Sequence, residues 1–185
     1  IAEERTKGVS REDSLRIILE ELDLSVDKDR FQYLTNRKNQ CYIESLNLLT
    51  SEDILPGIFE LIKELKQKGI KIALASASHN GPFILEKIGL LDSFDTIVDP
   101  GKLSRGKPDP EIFEVASAQL GLIPKDCVGI EDSIAGIQAI NSAGSCSIGV
   151  GDDKLSEAFQ RVSSTKELSV TLLQESWKNF VNDKL

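Results

Sequence analysis

Apolar positions along the chain follow two different rhythms. Leu15, Ile18, Leu19 and Leu22 stand at i, i+3, i+4 and i+7, one stripe of a helix. Ser10 ahead of Arg11-Glu12-Asp13 supplies an N-cap and acids for the first turn of that helix. A second helix is expected after Ser25, with a looser stripe at Phe31, Leu34, Cys41 and Tyr42 and an end near Leu49. Two helices with so few apolar positions form a thin layer, a lid rather than an independent core. Thr50 to Asp53 is polar and Pro56-Gly57 is a strong breaker. The expected division is therefore a helical cap over 1–50 and an α/β core over 51–185.

Beyond that boundary, helix-period and strand-period segments alternate. Ile58, Leu61, Ile62 and Leu65 repeat the helical stripe, closed by Gly69. Strands are expected at 70–75, 94–98, 127–130 and 146–150. Helices are expected at 82–88, 110–120, 133–143 and 170–181. Gly89, Gly121 and Gly144 close three of these helices. Such alternation signals the α/β class, a parallel Rossmann-like sheet with helices on both faces.

Composition narrows the partners. The chain has 185 residues, with 22 Lys+Arg against 30 Asp+Glu and a formal charge of −8. An acidic chain is a poor generic polyanion binder, so neither nucleic acid nor an anionic membrane is an expected partner. No apolar run reaches the ~18 residues of a membrane span, and no signal-peptide pattern opens the chain. Cys41, Cys127 and Cys146 are odd in number and form no Cys-x-x-Cys. That points to a reducing, cytoplasmic setting and to cysteines that fill core gaps. A monomer is expected. The chain contains no Met and begins at Ile1, so it is expected to be a piece of a longer polypeptide.

In open α/β sheets, ligands bind beyond the carboxyl ends of the strands. After the first expected strand stand Ser76-Ala77-Ser78-His79-Asn80-Gly81, a hydroxyl-rich turn entering a helix. Such a turn offers hydroxyls and backbone N–H groups to an anion, or simply caps the helix. After the second comes Lys107, pinned between Gly106 and Pro108 as a fixed point charge suited to phosphate, or a solvated loop lysine. After the third come Glu131-Asp132-Ser133. Adjacent carboxylates suit a hard cation such as Mg²⁺, which takes one or two carboxylates plus water and phosphate oxygens. Their alternative use is to cap the following helix. Taken singly each bland reading competes well. In this order at three successive strand ends, the three describe a phosphate site with a metal opposite the lysine.

That order resembles the haloacid dehalogenase superfamily of phosphoryl-transfer enzymes, with Ser76, Lys107 and Glu131-Asp132 matching its second, third and fourth motifs. Lys7-Gly8-Val9-Ser10-Arg11-Glu12-Asp13-Ser14-Leu15 is similar to the cap segment of the β-phosphoglucomutase subfamily. So are the segments 73–83 and 129–140, and the similarity covers essentially the whole chain. The resemblance implies interconversion of β-glucose 1-phosphate and glucose 6-phosphate through glucose 1,6-bisphosphate, with Mg²⁺ as cofactor. It implies that Asp132 ligates Mg²⁺, with Glu131 ligating it or acting through water. Ser76 and Lys107 would hold the transferring phosphoryl group. Gly8, Val9 and Arg11 would contact the sugar and the distal phosphate. Ala77, Ser78, His79 and Asn80 would complete that distal site, and Lys38 would approach the sugar.

Two departures from the family pattern stand out. The family's Asp-x-Asp nucleophile on its first strand is not found here. Asp27-Lys28-Asp29 is the sequence's own Asp-x-Asp, and it falls at the start of a cap helix. The nucleophile is expected to lie before Ile1, leaving a hydrophobic slot in the sheet and an inactive chain. His79 also stands where the family often carries lysine, a weaker donor to phosphate near neutral pH. Two rival functions share these motifs. One is a phosphatase of the same superfamily acting on small sugar phosphates. The other is a non-catalytic sugar-phosphate binder.

Overall fold

The computed structural model describes residues 5–6, 8–151 and 153–183; Ile1 and Lys7 lie outside the described residues. The first helix, α1 (Arg11–Glu21), begins where Ser10 Oγ accepts the Asp13 amide at 3.1 Å. The second, α2 (Lys28–Leu46), is capped by Asp27, whose carboxylate accepts the Arg30 amide at 2.7 Å. The sequence's Asp-x-Asp is therefore a helix cap. The two helices pack on each other and bury little: Ser14 and Leu15 from α1, Thr35 and Leu46 from α2. Cys41 and Tyr42, expected in the apolar stripe, are exposed, because α2 has too little partner surface to cover more than one narrow side. Cys41 thus fills no core gap.

A single 3₁₀ turn, Ser51–Asp53, follows, closed by reciprocal hydrogen bonds between Thr50 and Asp53. Gly57 then turns the chain with φ +85°, where a Cβ would come within 3.1 Å of the Thr165 carbonyl oxygen. From there the elements run α3 (Ile58–Gln67), β1 (Ala73–Leu74), α4 (Gly81–Lys87), β2 (Thr96–Ile97) and α5 (Glu111–Gln119). They continue with β3 (Val128–Glu131), α6 (Ile134–Ala143), β4 (Cys146–Val150), β5 (Gln160–Val162) and α7 (Val170–Asn182). Every strand pair is parallel; helices make the crossovers within the β1-β2 and β3-β4 pairs, and an irregular segment links β4 to β5. The strand β5 has no counterpart among the expected elements.

The strands form two groups, β1-β2 and β3-β4-β5. Between β1 and β3 runs an apolar groove of about 570 Å³, lined by residues 70–75 on one side and 126–131 on the other. Leu65, Ala116 and Leu173, from α3, α5 and α7, close its faces. Among the described residues neither facing strand edge has a ladder partner there. This explains why the expected strand over 70–75 shrinks to Ala73–Leu74: only those two residues pair, with Thr96 and Ile97.

The densest packing lies around β4 and α6. Ile137, Ile140, Cys146, Ile148 and Val170 are each at most 1 % exposed. Burial, with the Asp126 charge nearby, pushes the half-buried Cys127 thiol up. No described helix is long and apolar enough to cross a membrane.

Candidate active site

The carboxyl ends of β1 and β3 face α1 and α2 across a cleft. The loop after β2 brings Lys107 into it; the Lys107–Pro108 peptide is cis. Glu111, at the start of α5, holds this loop by accepting the Ser104 amide at 3.0 Å and the Arg105 amide at 2.8 Å. These backbone hydrogen bonds hold the Glu111 carboxyl below its ordinary value. The Lys107 ammonium lies 5.0 Å above the Phe113 ring centre and donates to Glu131 Oε2 at 2.6 Å. Both side chains are less than a tenth exposed, so each charge depends on the other for compensation.

Glu131 ends β3, and its other oxygen organises the following turn. Oε1 accepts from the Asp132 amide at 3.0 Å, the Ser133 amide at 3.1 Å and the Ser133 hydroxyl at 3.0 Å. Ser133 Oγ in turn accepts the Gly136 amide at 3.1 Å, capping α6. Burial pushes the Glu131 carboxyl up, but the Lys107 charge and hydrogen bond, with hydrogen bonds from Asp132, hold it below the usual carboxylate range. Gly136 is required beneath it: a Cβ there would fall 2.1 Å from the carboxylate. Ser133 and Glu131 therefore serve both as a helix cap and as part of the cleft.

The hydroxyl turn after β1 is built from its own side chains. Ser76 Oγ accepts the Ser78 amide at 3.1 Å, and Ser78 Oγ accepts the Asn80 amide at 3.2 Å. Asn80 caps α4 with no side-chain hydrogen bond. Its Nδ2 donates instead across the cleft to Asn39 Oδ1 of α2, at 3.1 Å.

A cavity of about 530 Å³ opens between the helical layer and these strand ends, within the range of small-molecule sites. Arg11, Ala77, His79 and Lys107 all line it. Gly8 lies against the acidic turn, where a Cβ would come within 2.3 Å of Ser133 Oγ, and Val9 follows half-buried. The structure thus gathers Gly8, Arg11, Ala77, His79, Lys107 and Glu131 about one cleft. The Lys38 ammonium donates to Ser14 Oγ at 3.1 Å and ties α2 to α1.

Sequence reasoning missed the Glu111 clamp and a polar row on α2. Gln32, Thr35, Asn36 and Asn39 stand at i, i+3, i+4 and i+7, and the first three line the cavity. The available signal was that spacing, read on polar rather than apolar residues.

Comparison with known proteins settles the family. The family model described as "Hydrolase: haloacid dehalogenase-like hydrolase" matches residues 6–144. The β-phosphoglucomutase of Bacillus subtilis is 45 % identical over 183 residues, covering 96 % of this chain and 80 % of that protein. The chain belongs to the haloacid dehalogenase-like hydrolase family. Within that family, a crystal structure of β-phosphoglucomutase from Clostridium difficile superposes with a TM-score of 0.94 at 40 % identity, covering 98 % of this chain and 82 % of that one. A phosphorylated-carbohydrate phosphatase of Thermotoga maritima is 32 % identical over 142 residues, covering 76 % of this chain and 63 % of its own length. Mutase and phosphatase members therefore both resemble the chain, and the mutases do so over more of it.

Proposed function

We propose that this chain is the sugar-phosphate-binding and phosphoryl-gripping body of a β-phosphoglucomutase, interconverting β-glucose 1-phosphate and glucose 6-phosphate through a bisphosphate. The observation that carries the reading is that Lys107, buried and paired with Glu131, lines the same cavity as Arg11. A hydrolase has one phosphate to hold. A mutase must hold a second at the far end of the sugar, and a guanidinium fork suits that task.

In this reading, residues 1–50 are a cap that closes over the core of 51–185. Closure excludes water, so the phosphoryl group passes to a sugar hydroxyl rather than to water. Lys107 holds a phosphoryl oxygen with its ammonium, and Ser76 donates its hydroxyl to another. Arg11, His79 and the turn 77–80 grip the distal phosphate.

The donor set fits Mg²⁺. It offers two adjacent carboxylates, Glu131 and Asp132, at the end of β3, and a cation completed by water and phosphate oxygens takes one or two carboxylates. Both Glu131 oxygens already accept hydrogen bonds; Asp132 would hold the ion directly, and Glu131 would hold it directly or through water. The ion would supply charge neutralisation for the transferring group.

No Asp-x-Asp stands at a strand end among the described residues. We place the aspartate nucleophile on an extended apolar strand seated in the groove between β1 and β3. Its carboxyl end would then meet Ser76, Lys107 and Glu131. The reading is tested by incubating a polypeptide that carries both this chain and that nucleophile strand with β-glucose 1-phosphate, the bisphosphate and Mg²⁺, then separating the products. Glucose 6-phosphate supports the mutase, and glucose with inorganic phosphate supports the phosphatase. Binding without turnover is the expected result for the 185-residue chain alone. No binding of either ester overturns the reading.

A further inference from the structure

The row Gln32-Thr35-Asn36-Asn39 is the part of the cavity wall that phosphate chemistry does not use. Thr35 is 3 % exposed and its hydroxyl donates to the Phe31 carbonyl at 2.9 Å, so its side chain is satisfied within α2. Asn39 accepts from Asn80 and fixes α2 against the turn after β1. Gln32 and Asn36 remain turned to the cavity. Gln32 Nε2 donates to Asn36 Oδ1 at 3.3 Å. That hydrogen bond leaves Gln32 Oε1 as an acceptor and Asn36 Nδ2 as a donor on the same face.

A neutral acceptor beside a neutral donor does not suit phosphate, which wants donors and positive charge on every side. It suits a pair of neighbouring hydroxyls, each of which can both give and take a hydrogen bond. We propose that Gln32 and Asn36 read the ring hydroxyls of a hexose phosphate, and so set sugar selectivity from the α2 side of the cleft. This rests on the sugar-phosphate reading above and adds two residues to it. The cations Lys107 and Arg11, with the His79 ring as a further hydrogen-bonding group, hold the ester's phosphate, and the Asn39–Asn80 hydrogen bond ties the helix that carries the amide pair to the turn after β1.

Both residues are exposed in the free chain, so replacing them does not threaten folding. The test titrates two esters, glucose 6-phosphate and glycerol 3-phosphate, into the 185-residue chain and into a Gln32→Ala/Asn36→Ala variant by calorimetry. Two neutral hydrogen bonds correspond to a loss of about tenfold in affinity. That loss is expected for glucose 6-phosphate only, with glycerol 3-phosphate binding the variant as it binds the parent. An equal loss for both esters, or no loss for either, overturns the proposal while leaving the sugar-phosphate reading intact. If the parent binds neither ester, both fall together.

Discussion

The helical layer and the sheet core spend their apolar residues in opposite ways. Together α1 and α2 bury four residues, of which Ser14 and Thr35 are hydroxyl-bearing. In the same region Leu22, Leu24 and Tyr33 stay more than half exposed. In the core, α3 alone buries Leu61, Ile62 and Leu65, and α6 buries Ile137, Ala139 and Ile140. Since burial stabilises by roughly 25 cal/mol per Å² of apolar surface, the core can offset the cost of an interior ion pair and the layer cannot. The layer instead keeps polar groups toward the cleft. The buried ion pair sits on the core, while the groups proposed to meet the sugar sit on a layer that buries little apolar surface.

Removing the core's buried charge should have the largest effect. Lys107→Ala leaves Glu131 buried and unpaired, which costs on the order of 3–5 kcal/mol. Urea unfolding followed by the fluorescence of Trp177 measures this. Trp177 is the chain's one tryptophan; it stands half-buried on α7, and its indole donates to the Lys125 carbonyl at 3.0 Å. Replacing both partners, Lys107→Met with Glu131→Gln, removes both charges while keeping an acceptor oxygen for the Asp132 and Ser133 donors, and should recover most of the loss. A single variant as stable as the parent would mean that the pair is solvated rather than buried.

The next step sets the two regions against each other directly. Ile140 is fully buried, and Ile140→Ala should cost ~2–5 kcal/mol at the Trp177 signal. Leu15 is buried between the cap helices, and Leu15→Ala should reduce helical circular dichroism while leaving the Trp177 midpoint within about 0.5 kcal/mol of the parent. Equal shifts at Trp177 would show that layer and core unfold as one unit.

How far these regions were legible in the sequence follows the same divide. The core's alternation was readable because its helices start at serine caps such as Ser133 and end at glycines such as Gly144, with φ +84°. The strand β5 was not, because Gln160-Arg161-Val162 offers one apolar position in three residues and takes its place only by pairing with β4. The Lys107 and Glu131 positions were visible as motif order. That both Glu131 oxygens would be engaged was not, since the engagement arises from a backbone turn rather than from residue type. On α2 the apolar stripe misled: Cys41 and Tyr42 face outward, and the residues that line the cavity belong to the polar row beginning at Gln32. Lys38 was readable as a cation but not as a partner of Ser14, which lies a helix away.

The smallest expected effect concerns the loop that carries the core's cation to the cleft. Glu111 is half-buried, and its carboxylate accepts the amides of Ser104 and Arg105. Those bonds hold its folded-state value below the ordinary 4.5 of the unfolded chain. A carboxyl whose value is lowered on folding contributes stability that is complete above the unfolded value and disappears as pH falls through the folded one. Glu111→Gln keeps an acceptor oxygen but removes the charge that strengthens such bonds. The variant should therefore be less stable than the parent above about pH 5, and the two should converge as pH drops well below 4. Hydrogen exchange at the Ser104 and Arg105 amides locates the effect, because both should exchange faster in the variant near neutral pH while Ile148 in β4 is unchanged. A gap between the proteins that survives at low pH would mean that the loop is held by shape rather than by the carboxylate. The contrast between a fixed core and a loosely held layer would then need a different anchor for Lys107.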